Sequence, residues 1–147
     1  MRTISILTLL LVVAQGQNGQ TVISPEHTTT LCALVEHPNE YSGKTVRLQA
    51  KVVGGSEFSI FRDDSCPARE NTASGKHDLV LATFSQDHYD FKSPLNQKLT
   101  RLLKKNQQAE IVVVGSFTDP GRYIGHQLCC RYEFAIQNLI SVKDIGK

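Results

Sequence analysis

Gly43 to Phe61, GKTVRLQAKVVGGSEFSIF, decides the fold. From Thr45 onward Val46, Leu48, Ala50 and Val52 are apolar, while Thr45, Arg47, Gln49 and Lys51 are polar. A period of two marks a strand with one face on a core and the other in water. Gly54-Gly55-Ser56 can turn the chain through positive φ, and Glu57 to Phe61 then reads as a second strand with Phe58 and Ile60 on one face. The result is a long, one-sided hairpin that later strands can close into a small barrel.

Upstream, Met1-Arg2 and the apolar run Ile4–Ala14 end in Ala14-Gln15-Gly16, the pattern of an export signal with small residues at the cleavage site. The run is shorter than the roughly 20 residues that span a bilayer. No cysteine stands directly after it, which argues against a lipid anchor. The expected organisation is a signal peptide over 1–16, a flexible lead-in over 17–29 and a single domain over 30–147, exported to a periplasm or to the medium. Without residues 1–16, 15 Lys and Arg face 14 Asp and Glu. A chain so close to neutral lacks the basic excess typical of polyanion binders.

Thr28 to Thr30 can cap a short helix in which Leu31, Leu34 and Val35 share a side. Pro38 breaks it, since the residue before proline avoids the α region. Pro38 to Tyr41 can form one more turn, and Gly43 suits a left-handed stop. So short a helix needs tertiary support, most simply by plugging an open barrel end. After the hairpin, Arg62 to His77 shows no usable periodicity, and a loop of that length is often functional or mobile. Asp78 to Phe84 reads as a buried third strand. Ser93 and Pro94 begin a helix with Leu95, Leu99, Leu102 and Leu103 on one stripe. Ala109 to Phe117 is rich in β-branched residues and reads as a strand buried on both faces. Asp119-Pro120-Gly121 is a turn signature. The return strand alternates Tyr132, Phe134 and Ile136 against Glu133, Ala135 and Gln137, and Leu139-Ile140 breaks that phase, as a bulge would.

The order is helix, three strands, helix, two strands. This predicts a mainly β fold: a five-stranded OB-like Greek-key barrel, with an N-terminal capping helix and a helix between strands 3 and 4. A sandwich would need more strands and a parallel α/β sheet more helices. Leu31-Cys32, the run His37-Pro38-Asn39-Glu40-Tyr41-Ser42-Gly43-Lys44-Thr45-Val46, the strand after it and Asp64-Ser65-Cys66-Pro67 together resemble a group of small exported bacterial proteins. Those proteins carry an OB domain of the tRNA-anticodon-binding-like type. The resemblance spans most of the mature chain and implies fold and export, but no activity.

Candidate chemistry is sparse. The five histidines, His27, His37, His77, His88 and His126, show no zinc-motif spacing, and neither HExxH nor CxxC occurs. Asp87-His88-Tyr89-Asp90 is the densest ligand-capable run, and it reads more simply as a polar connector. No GxSxG elbow or phosphate loop is present. The chain is therefore expected to be no enzyme and to need no cofactor or metal. Lys92, Lys98, Arg101, Lys104 and Lys105 read as the solvated face of the second helix, the last two favourably opposing its dipole. OB barrels bind oligomers across strands 2 and 3, which places Phe61, Arg62 and Asp63 at the expected groove. The expected occupant is a protein, peptide or glycan. A single-stranded nucleic acid is the alternative, drawing on Arg47, Lys51 and Arg62 and opposed by near-neutral charge and few aromatics.

Cys32, Cys66, Cys129 and Cys130 make an even count in a small exported chain, which predicts two bridges. Neighbours on an extended strand point to opposite faces, which disfavours a Cys129–Cys130 bond. The expected links run from Cys129 and Cys130 to Cys32 and Cys66, in either pairing. Each would close a loop of more than about 60 residues and stabilise by about 4 kcal/mol.

Overall fold

The computed structural model describes residues 28–54, 59–64, 66, 70–71, 76–77, 79–85, 87, 89–105 and 108–146. The expected signal peptide and most of the lead-in lie outside these residues. The elements run β1 (Thr28–Thr30), α1 (Leu31–Glu36), α2 (Pro38–Tyr41), β2 (Thr45–Gly54), β3 (Ser59–Arg62), β4 (Glu70–Asn71), β5 (Lys76–His77), β6 (Val80–Phe84), α3 (Pro94–Lys104), β7 (Gln108–Thr118) and β8 (Tyr132–Gly146).

β2 pairs antiparallel with both β3 and β7, β3 with β6, β6 in parallel with β8, and β8 with β7. The circuit β2-β3-β6-β8-β7 returns to β2 and closes a five-stranded barrel with α3 between its third and fourth strands. That order, with its one parallel pair, is an OB-like barrel. β1 lies outside the circuit, parallel to β2 from Thr28 opposite Arg47 to Thr30 opposite Gln49. Thr28 and Thr29, expected in the lead-in, thus form an edge strand.

The alternation of β2 holds. Val46, Leu48, Ala50 and Val52 are buried, and the intervening polar residues face outward. Phe61, Val80, Ile111, Val113, Phe117, Phe134 and Ile136 complete the interior. β7 alternates as well, its outer residues half-buried rather than enclosed on both sides. Three register shifts separate β7 from β8. One leaves Ile140 without a partner between Leu139 and Ser141, which is the expected bulge. Another leaves Gln137 unmatched between Ile136 and Asn138.

The helices form as their caps dictate. Thr30 Oγ1 accepts the Ala33 amide at 3.2 Å, and Leu31 and Leu34 are buried. Ser93 Oγ accepts the Asn96 amide at 3.2 Å, with Pro94 at the first helical position. Leu99, Leu102 and Leu103 of α3 are buried, and Leu95 packs beside them. Gly43, at φ 78°, ends α2, and its amide donates to the Phe117 carbonyl at the close of β7. Lys98 Nζ donates to the Val142 carbonyl at 2.7 Å, and Val142 faces Ile111 near the start of β7. One helical unit is therefore tied to β7 at Phe117 and the other to β8 at Val142, at opposite ends of the β7–β8 ribbon.

The long segment after β3 is not structureless. Asp63 and Cys66 bridge, and β4 and β5 pair Glu70 with His77 and Asn71 with Lys76.

Candidate binding cleft and flanking loop

β1 covers β2 only as far as Gln49, whereas β3 begins to pair at Lys51. One edge of β2 is left open between them. The gap is a cleft of about 390 Å³ with Ala50 at its floor and the three threonines of β1 along one wall. Gln49, Lys51, Arg62, Asp63 and Glu110 supply the remaining polar groups. The alternation of β2 turns Arg47, Gln49 and Lys51 outward, and the β2–β3 register sets Arg62 beside Lys51.

Of the three residues expected at a groove across strands 2 and 3, Arg62, exposed, and Asp63, half-buried, line this different cleft beside β1 and β2. Phe61 does not. It is 1% exposed and meets Phe134 edge-to-face inside the barrel, with ring centroids 5.5 Å apart. Phe58, Ile60 and Phe61 put large apolar groups on both parities of the strand, so the period alone does not choose the inward face. Closure chooses it: Ser59 and Phe61 point in and Ile60 outward.

Charges in the cleft nearly cancel. Lys51 Nζ donates to Asp64 Oδ2, and this hydrogen bond with the accompanying ion-pair attraction holds the Asp64 carboxyl below the usual carboxylate range. Arg62 stands with Asp63 and Glu110. Arg47 faces Thr28 on one side and Val114 on the other, and its buried Nε has no hydrogen-bond partner among the described residues. A buried unmet donor costs about 1–3 kcal/mol. No aromatic ring lines the cleft among the described residues.

The Asp87–Asp90 run, read from sequence as a polar connector, is partly described. Tyr89 is buried and its hydroxyl donates to Asn96 Oδ1 at 2.9 Å; burial, and then the charge of Asp90, push its pKa up to about 12. Asp90 accepts the Lys92 amide, and Asp87 is exposed. His88 lies outside the described residues. No group of three or more metal-ligating side chains forms among the described residues. Lys92, Lys98, Arg101, Lys104 and Lys105 are all exposed.

The loop from Asp119 to Arg131 joins β7 to β8 at the flank of β6. At its base Arg131 pairs with Asp119 at 3.1 Å, and both are substantially buried. Gly121 donates to Asp119 Oδ1 at 2.8 Å, the turn that Asp119-Pro120-Gly121 predicted. Here the cysteine expectation fails: Cys129 is bonded to Cys130, and Cys32 and Cys66 are free thiols. A vicinal bond is disfavoured only where the two cysteines sit on an extended strand. β8 starts only at Tyr132, and the pair follows a tight turn in which Gln127 and Leu128 both adopt φ 53°. No period-two signal in CCRYEF reveals where the strand begins.

No protein-family model and no curated protein matches the chain. Among solved structures it is similar to one assigned to an aspartyl-tRNA synthetase from Leishmania major Friedlin, at 12% identity and a TM-score of 0.43. That alignment covers 91% of this chain and 23% of the other, so the chain spans about a quarter of that protein's length. The strand circuit itself assigns the barrel as OB-like.

Proposed function

We propose that this chain is an exported, non-enzymatic binding module that holds an extended polypeptide segment in the cleft between β1 and β3. The observation that carries the reading is the gap in pairing along β2, which opens a polar cleft beside the edge strand Thr28–Thr30. A strand edge offers backbone donors and acceptors to a peptide. Balanced charge and the lack of lining aromatics favour a peptide over a single-stranded nucleic acid, which relies on basic grooves and stacking. A glycan, which also suits hydroxyl and amide walls, is the second occupant to test. The leader pattern in residues 1–16 and the Cys129–Cys130 bond both fit an oxidising compartment.

Amide chemical-shift mapping of the full-length mature protein tests this. A pool of short extended peptides should move Thr28–Thr30, Gln49, Arg62 and Asp63 and leave α3 unmoved. A chito-oligosaccharide and an oligothymidylate serve as the competing probes. Response to the oligonucleotide alone at physiological salt, or no response at these residues to any probe, would overturn the proposal.

A further inference from the structure

We propose that the Cys129–Cys130 bond is a thiol–disulfide exchange site for small or protein dithiols, and that its reduction releases residues 127–129 while the rest of the loop stays anchored. Cys130 is a fixed post: it is fully buried, its amide donates to Ile124 at 3.1 Å, and its carbonyl accepts from Ile124 at 2.7 Å. Arg131 and Tyr132 both donate to the Leu79 carbonyl immediately beyond it. Cys129 is half-buried, and the disulfide ties it to that post. A Cβ on Gly125 would lie 2.9 Å from Cys129 Sγ and 3.6 Å from a Leu81 methyl, so the sulfur packs on bare backbone beside the outer side chain of β6.

Gln127 and Leu128 are held left-handed although neither is glycine. Both are exposed, Leu128 at 49%, so little packing holds them there. Among the described residues, the Leu128 amide donating to Gly125 at 3.1 Å and the small ring that fixes Cys129 hold them there. Opening the ring removes the second restraint and lets φ return to negative values, where side chains clash less with the backbone.

In the exchange, a thiolate of the external dithiol attacks Cys129 Sγ, the sulfur of the half-buried partner, rather than that of the fully buried Cys130. The S–S bond breaks, and Cys130 Sγ leaves with the electron pair and takes a proton. The second sulfur of the dithiol then attacks the mixed disulfide and releases Cys129 Sγ as a thiol. The protein gains two thiols, the dithiol becomes a disulfide, and two electrons have moved.

The test treats the folded full-length protein with dithiothreitol, then alkylates it and maps peptides. Cys129 and Cys130 should become labelled at reductant levels that leave the circular dichroism of the barrel unchanged. Amide exchange at Leu128 should rise at least tenfold, and the three-bond HN–Hα coupling of Gln127 and Leu128 should lose its left-handed value. Ile124 and Cys130 amides should stay protected, and reoxidation should restore the starting state. The double variant Cys129→Ser/Cys130→Ser should match the reduced protein and ignore dithiothreitol. If that variant does not fold, chemical reduction of the wild type decides alone. Reduction only after the barrel unfolds, an unchanged Leu128 on reduction, or equal loss of protection at Ile124 and Cys130 would each overturn the proposal.

Discussion

Gly115 lies on β7 where the pairing with β8 slips, Val114 facing Asn138 and Gly115 facing Ile136. At that slip the β8 backbone crosses directly over it. A Cβ added to Gly115 would sit 2.5 Å from Phe134 Cε1, closer still to the Ala135 carbonyl oxygen, and 3.0 Å from the Ala135 carbonyl carbon. Comfortable contacts between carbon atoms are about 3.5–4.0 Å, so β8 must retreat by roughly 1 Å. Overpacking costs about 1–3 kcal/mol when side chains can adjust. Here the obstacle is largely main chain, which puts Gly115→Ala at about 3 kcal/mol. For a domain of this size each kcal/mol lowers Tm by about 4 °C, so a fall of about 12 °C is expected. Gly121→Ala is the control. Gly121 has φ 71° but nothing within 4 Å of an added Cβ, so only the left-handed backbone penalty of about 1 kcal/mol applies. Urea and thermal unfolding of both variants measure the difference. Gly115→Ala within about 2 °C of wild type, or a Gly121→Ala loss as large, would refute the steric account.

Phe61→Ala should cost about 3–5 kcal/mol in urea unfolding, because it empties a core site against Phe134. Arg62→Ala, one residue on and exposed, should change stability by less than about 0.5 kcal/mol while weakening ligand binding. The raised Tyr89 pKa implies stability fully present below the ordinary tyrosine pKa of about 10 and lost as pH rises through about 12. Tyr89→Phe should therefore flatten the alkaline limb of the unfolding curve, and absorbance of tyrosinate should show one late-titrating group in the wild type. Lys51→Met should return the Asp64 carboxyl toward its usual range, read by carbon-detected NMR titration. Asp64's contribution is present above its unfolded pKa and fades as pH falls through the lower folded value; since its side chain is 77% exposed, added salt should shrink the effect.

Where one side chain in two meets water, the pattern spoke clearly. The β2 alternation, the leucine stripe of α3, both helix caps and the Ile140 bulge were all readable, because each is local and obeys one period. The inward turn of Phe61 is not legible in sequence, since its strand carries apolar groups on both parities and only closure against Phe134 picks the inner one. β1 escaped notice because a run of three threonines caps a helix equally well, and Thr30 in fact serves both elements. The cleft follows from where β1 stops and β3 starts on a shared edge, a register fact that no window of sequence contains. The Cys129–Cys130 bond depended on two left-handed residues, neither a glycine, which composition gives no reason to expect.

Closure through β2 and β7 also dictates when the barrel can exist at all. Val52 meets Ala109 and Thr45 meets Ser116, partners separated by about 60 to 70 positions along the chain. During synthesis, the first long strand emerges well before its second neighbour. Until then one of its edges stays unsatisfied, a template for joining another nascent copy. Such distant pairing also slows folding, since loop entropy is lost before the contact forms. The polar side chains at Arg47, Gln49 and Lys51 then have a second duty, keeping the waiting strand in solution until residue 116 arrives.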